Sequence, residues 1–113
     1  MESVRLNKVS RLIQKELSDI LQRESISLFN GNIISVTVVR MSTDLMLARV
    51  YVSIFAPSGK ENAFPLLNEH KKHIRNQLAQ KIKNQMRAIP ELAFFIDDSL
   101  EYADRIDELL KDK

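Results

Sequence analysis

The spacing of apolar residues changes repeatedly along this chain, and the order of those changes restricts the fold. In residues 6–23 apolar side chains recur every three or four positions, which predicts an amphipathic helix. The β-branched stretch 33–39 and the alternating stretch 47–55 predict two strands, and their short connection favours an antiparallel hairpin. Residues 24–32 are polar and predict a loop.

Alternation along each predicted strand assigns the residues that face the core. The inward set is Ile34, Val36 and Val38 in the first strand and Ala48, Val50, Val52 and Ile54 in the second. Tyr51 and Phe55 fall on the other face of the second strand. They could stack on nucleic-acid bases, but ordinary partial exposure is the favoured interpretation.

The second half of the chain predicts a helical hairpin, a third strand and a last helix. A helical stripe covers residues 62–86, but no apolar residue stands at the expected steps between Leu67 and Ile74. This gap predicts two helices, or one bent helix, joined within 69–72; one straight helix is the alternative. Residues 92–96 alternate as a strand, and the acidic stretch at about 99–111 predicts a helix. We therefore expect one α+β domain over residues 1–113, a two-layer sandwich of order α-β-β-α-α-β-α.

The charges are sorted by position, although the whole chain carries a formal net charge of only +2. Residues 1–90 contain 14 Lys+Arg and 7 Asp+Glu, whereas residues 91–113 contain 3 and 8. A basic body with an acidic tail favours a polyanionic partner, most often a nucleic acid. An unevenly charged but merely solvated surface is the alternative.

The residue types argue against catalysis. There is no Cys, which excludes a thiolate metal site and suits a reducing cytoplasm. His70 and His73 lack a third ligand at metal-binding spacing, and Asp97 and Asp98 are adjacent, so their carboxylates diverge. Phosphate-binding glycine loops are missing, as are a signal peptide and a membrane-spanning stretch. We expect a cytoplasmic, monomeric protein that is not an enzyme and uses no cofactor, metal or small-molecule substrate.

The lysines and arginines are the candidate functional residues, because cationic side chains bind phosphates without regard to sequence. They fall on the polar side of the first helix, on or beside the strands, and along the helical hairpin. The predicted nucleic-acid-binding residues are Arg5, Lys8, Arg11, Lys15, Arg40, Arg49, Lys71, Lys72, Arg75, Lys81, Lys83 and Arg87.

Three segments that span nearly the whole chain resemble the bacterial ribosome-binding factor A family. They are the first helix, the hairpin segment 42–53, and the segment 87–99 together with residues 105–110. The hairpin and the Pro-Glu-Leu part of the third segment are the most specific. The matching residues include Lys8, Ile13, Leu17 and Leu21; Ser42, Asp44, Leu45, Ala48 and Val50; and Arg87, Pro90, Glu91, Leu92, Phe94, Asp97 and Ser99.

This resemblance implies a KH-like fold of type II order with an added C-terminal helix. It also implies a non-enzymatic factor that binds the small (30S) ribosomal subunit, contacts immature 16S ribosomal RNA, aids its late processing and supports growth in the cold. The family lacks the Gly-x-x-Gly loop of ordinary KH domains, as this chain does. It usually bends its helical hairpin at Ala-x-Gly, whereas residues 69–73 here contain no glycine. An adaptor that binds proteins but not RNA is the alternative function.

Overall fold

The computed structural model describes residues 2–55 and 60–97, and within them helices and strands follow in the predicted order. The elements are α1 (Glu2–Arg23), α2 (Ser25–Phe29), β1 (Ile33–Met41), β2 (Leu47–Phe55), α3 (Lys60–Glu69), α4 (Lys71–Ile82) and β3 (Glu91–Ile96). The predicted helix at about 99–111 lies outside the described residues. The α+β prediction is confirmed, and the short helix α2 is an addition to it.

The sheet has the strand order β1-β2-β3, with β2 in the middle. β1 and β2 form the predicted antiparallel hairpin, and β3 pairs with β2 in parallel. A parallel partner cannot follow through a tight turn, so the chain must cross over the sheet before it returns. The helices α3 and α4 make this crossover and cover the sheet on one face.

The core lies between the helices and the inner face of the sheet. α1 packs on β1 and beside α4. The predicted inward residues of β2 are all buried, which confirms the phase of this strand. The largest side chains without exposed surface are Ile13, Leu17, Ile20 and Leu21 of α1, Phe29 of α2, Ile34 of β1, Leu67 of α3, and Ile74, Leu78 and Ile82 of α4.

A β-bulge in β1 corrects the predicted faces of that strand. The register with β2 shifts between Val36 and Val38, so that the intervening Thr37 is the extra residue. Ile34 and Val36 point inward as predicted, but Val38 is 38% exposed and Val39 is buried. Strict alternation would also have turned Arg40 into the core, and the bulge returns this charged side chain to water.

The helical hairpin breaks at His70, within the predicted range. His70 has φ −101° and ψ 14°, and its ring meets Phe29 edge to face with centroids 6.3 Å apart. The break therefore needs no glycine, since these dihedral angles are open to any residue. α4 ends at Ile82, earlier than the predicted Met86, although Met86 still packs against the core.

The segment 24–32 was predicted as a loop, but the structure has a short helix within it. It contains α2, whose last residue, Phe29, is fully buried. Asn30 then adopts the left-handed conformation with φ 55°, and Gly31 follows with φ 83° and donates its N–H to the Ser25 carbonyl. Asn and Gly are the residues that tolerate this conformation best, and they end the helix here.

Candidate nucleic-acid interface

The four predicted cations of α1 lie on the side of the helix that faces away from the sheet. The inward side is fixed by Ile13, Leu17 and Ile20, which have no exposed surface. Since an α-helix turns about 100° per residue, residues out of phase with this stripe point to solvent. The side chains that do so are Arg5, Lys8, Arg11 and Lys15, all exposed.

The predicted cations of the helical hairpin lie along α4 and just after its end. Lys71 and Lys72 occupy its first turn, where acidic residues are absent. A positive charge at a helix N-terminus opposes the helix dipole, so the folded state gains little from these two lysines. Lys81 and Lys83 stand at the other end, and Arg87 lies in the connection to β3; all three are exposed.

Arg75 differs from the other candidates, because the protein itself occupies its guanidinium. Nε donates to the Pro90 carbonyl at 3.0 Å, and Nη2 donates to the Ile89 carbonyl at 2.8 Å. Nη2 also lies 3.5 Å from Glu91 Oε1. Arg75 thus fixes the connection between α4 and β3, and an RNA contact would have to compete with these bonds.

Arg40 and Arg49 lie on the outer face of the sheet, away from the helices. They are direct partners in the β1–β2 ladder, and both are exposed. Like charges placed opposite one another across two strands destabilise the pairing. Among the residues described by the structure, neither guanidinium has an ion-pair partner that would offset this repulsion.

The predicted cations therefore do not form one surface. Those of α1 and α4 share the helical layer, because these helices pack side by side. Arg40 and Arg49 lie on the opposite side of the sheet. RNA binding stays a prediction for each of the twelve residues. The fold divides them into a helical set, on or next to α1 and α4, and a sheet pair, which is Arg40 and Arg49.

One place where distant cations meet is a cavity of about 400 Å³ at the end of the molecule that holds the β1–β2 turn. Arg5 of α1 and Arg87 line it from two sides, together with Asp44 of the turn.

Asp44 Oδ1 accepts hydrogen bonds from Ser42 Oγ at 2.6 Å and from the Met46 N–H at 3.0 Å. The Ser42 bond, followed by the Met46 bond, lowers the pKa of Asp44. Ser42 and Asp44 thus fix the turn, a role that is common for these residue types.

The end of α1 is joined to α4 by a small polar network. Glu24 accepts hydrogen bonds from Ser27 Oγ at 2.8 Å and from Gln77 Nε2 at 3.2 Å. These two bonds, with Ser27 the larger cause, lower the pKa of Glu24. Gln77 Nε2 also lies 2.9 Å from His73 Nε2. In the described part of the chain, no group of three His, Cys, Asp or Glu side chains is arranged to hold a metal ion.

The outer face of the sheet also holds a pair of aromatic rings whose contact with each other the sequence did not predict. Tyr51 and Phe95 are partners in the β2–β3 ladder, and their rings stack with centroids 5.3 Å apart and planes at 26°. The sequence placed Tyr51 and Phe95 on strands but could not place them side by side. Their contact requires β3 to lie parallel to β2 in this register, which no local pattern specifies.

The sequence model of the family described as "Ribosome-binding factor A" matches residues 5–110. This chain belongs to the ribosome-binding factor A family. A relative of that name from Cytophaga hutchinsonii is 46% identical over 97% of this chain and 83% of its own length. The crystal structure of ribosome-binding factor A from Thermus thermophilus has a TM-score of 0.68 at 23% identity, covering 80% of this chain and 94% of its own.

Membership of the ribosome-binding factor A family accounts for the topology, which is KH-like. A second similar structure is a homology model of the Thermus thermophilus factor, fitted into the cryo-EM map of a complex between the 30S subunit and that factor. Its TM-score is 0.62 at 27% identity, with 77% of this chain and 89% of that chain covered. Within the described residues, no helix is long and apolar enough to cross a membrane.

Proposed function

We propose that this protein is a non-catalytic assembly factor that binds the small (30S) ribosomal subunit. In this proposal it contacts immature 16S ribosomal RNA, acts in the cytoplasm as a monomer, aids late RNA processing and supports growth in the cold. The observation that carries the proposal is the likeness to the Thermus thermophilus factor fitted into the map of a 30S complex. The relative at 46% identity supports the same function.

The physical basis of binding is the cationic helical layer. Arg5, Lys8, Arg11 and Lys15 on α1 and the lysines of α4 meet phosphates through charge and the release of counterions. The contact between α1 and α4 supports this proposal, because it brings the two cationic helices together in one layer. A bound factor of this kind favours whichever RNA arrangement it binds more tightly, and only by the difference in affinity. No bond needs to be made or broken.

Co-sedimentation with small-subunit precursors tests the proposal, and the chain offers a matched pair of variants. Lys8→Glu reverses a charge of the helical set, whereas Arg23→Glu makes the same change in net charge at the other end of α1. We expect Lys8→Glu to weaken association and Arg23→Glu to leave it near the parent level. Equal losses would reduce the effect to overall charge and would contradict a defined RNA-binding face.

The dependence on salt separates RNA binding from the adaptor alternative. If several phosphates are neutralised, affinity falls by on the order of tenfold or more between roughly 50 and 200 mM salt. Lys8→Glu should also make this dependence less steep, since one phosphate contact is lost. An affinity for precursors that ignores salt would favour contacts with ribosomal proteins instead.

A further inference from the structure

We propose that the outer face of the sheet binds unpaired RNA bases, which stack on Tyr51 and Phe95 while Arg40 and Arg49 hold the neighbouring phosphates. This inference rests on the proposed RNA-binding function and adds a second contact surface to it. The surface lies on the side of the sheet opposite α1 and α4. We call it the sheet platform, and it consists of Val38, Arg40, Arg49, Tyr51 and Phe95.

The first support is the arrangement of these residues in rows across the strands. Val38, Tyr51 and Phe95 form one row, because Tyr51 is the ladder partner of both other residues. Arg40 and Arg49 form the next row. Two residues along a strand span about 7 Å, so the arginines begin close to the edge of the rings.

The second support is exposure. Phe95 remains 42% exposed and Val38 38% exposed, although Tyr51 and Phe95 already stack on each other. Among the described elements, the helices pack on the inner face and none covers this one. Stacked rings on an open sheet face are a known means of binding single-stranded RNA, because every base has a flat face to offer.

The third support is charge. Arg40 and Arg49 repel one another across the ladder and have no ion-pair partner among the described residues. A phosphate placed between two guanidinium groups converts this repulsion into two attractions, and Arg donates to phosphate in a paired geometry. The sheet pair thus favours an anionic occupant over a neutral one.

The fourth support is a concavity that joins one of the arginines to the rings. Val38, Arg40, Tyr51 and Asp97 line a shallow, open concavity of about 550 Å³. Asp97 donates its backbone N–H to the Val52 carbonyl, and its carboxylate accepts a hydrogen bond from the Thr37 hydroxyl. It therefore lies beyond the rings, on the side away from the arginines. The concavity thus extends from Arg40 past the Tyr51 ring, so that a base stacked on the ring has its phosphate within reach of Arg40.

The experiment uses the ring protons of Tyr51 as the probe. The chain has two tyrosines and no tryptophan, so Tyr102→Phe leaves Tyr51 as the only tyrosine. We expect a single-stranded oligocytidylate to move the Tyr51 ring signals upfield in NMR spectra, because a stacked base shields them. Inorganic polyphosphate, which has charge but no bases, should not do so. Equal shifts with both probes would overturn the proposal.

Variants give the quantitative test. Tyr51→Ala and Phe95→Ala should each weaken oligocytidylate binding by on the order of tenfold, as expected for the loss of a stacked base. Phe55→Ala is the matched control: Phe55 is 70% exposed on the same strand but makes no ring contact among the described residues. Unchanged affinity in both platform variants would overturn the proposal, and so would Tyr51 shifts produced by an acidic peptide but not by RNA.

Two further measurements keep the result unambiguous. Arg40→Gln with Arg49→Gln leaves the rings and the core untouched and should reduce affinity, even if Tyr51→Ala proves less stable than the parent. Association with small-subunit precursors is followed in parallel. If Tyr51→Ala binds precursors and oligocytidylate as the parent does, the sheet platform fails while the proposed function stands. If the parent does not bind precursors, the proposed function fails, and the NMR titration still decides the platform.

Discussion

Arg75 and Pro90 are joined by a hydrogen bond in which the guanidinium Nε donates to the backbone carbonyl over 3.0 Å. The second bond, to Ile89, ties the same side chain to the preceding residue. Both carbonyls stand immediately before β3, where Glu91 begins its pairing by donating its N–H to Met46. A cation that sequence reasoning grouped with the RNA contacts is thus also a structural support for the last described strand.

Arg75→Ala should therefore destabilise the domain. Two hydrogen bonds from a charged donor are lost, and since the side chain is 34% exposed, water compensates in part. We expect a loss of about 1–2 kcal/mol in the free energy of unfolding, measured by urea denaturation. Lys72→Ala, at an exposed position three residues earlier, is the control and should change stability little. Equal stability of both variants would show that the Arg75 bonds do not hold β3.

Lys71 and Lys72 offer a cleaner test of RNA contact, because we expect the fold to tolerate a reversal of their charge. Glutamates in the first turn of α4 interact favourably with the helix dipole, so the double change to Glu should leave the melting temperature equal or slightly higher. Association with small-subunit precursors should fall, and the double change to Gln should give an intermediate loss. Full binding by the Glu variant would remove this end of α4 from the interface.

Val50 tests the assignment of the inner face. Its side chain has no exposed surface, so Val50→Asp places an unpaired carboxylate in the core. The cost of several kcal/mol approaches the whole stability of an ordinary domain, and we expect an unfolded or aggregated product. Arg49→Asp introduces the same residue one position earlier, on the outer face, and should stay folded by circular dichroism. A folded Val50→Asp variant would contradict the burial of this strand.

Glu24 should titrate below its ordinary value. The bond from Ser27 and then that from Gln77 lower its pKa from 4.5, and they favour the charged form in the folded state only. The resulting stabilisation is present above the unfolded pKa and is lost as the pH falls through the lower, folded pKa. An NMR titration of the Glu24 carboxyl should show this, and Ser27→Ala should move the midpoint back towards 4.5. A midpoint that ignores Ser27 would assign the shift to other groups.

Local sequence pattern was sufficient where one face of an element is buried throughout. Strict alternation gave the phase of β2, and the missing apolar steps between Leu67 and Ile74 placed a break within 69–72, where the structure has it at His70. The family resemblance predicted the KH-like order as well. The phase of β2 and the helix break depend on residues close together in the sequence, so the spacing of apolar residues is enough to predict them.

The remaining features depend on contacts between distant residues. The bulge at Thr37 is stabilised by Gln14, which donates to its carbonyl at 3.2 Å, and by the hydroxyl contact with Asp97. Its one local sign was Arg40, which alternation would have buried. The burial of Phe29 depends on helices far along the chain. The separation of the cations into a helical set and a sheet pair follows from which face the helices cover.

The position of β3 has a consequence for synthesis of the chain. β2, the middle strand, leaves the ribosome early, yet its second partner follows only after the whole crossover of α3 and α4 has been made. Until then, one edge of β2 presents unpaired N–H and carbonyl groups, which can recruit strands from other molecules. Nascent chains that stall before Glu91 should therefore aggregate more readily than chains in which β3 has been made.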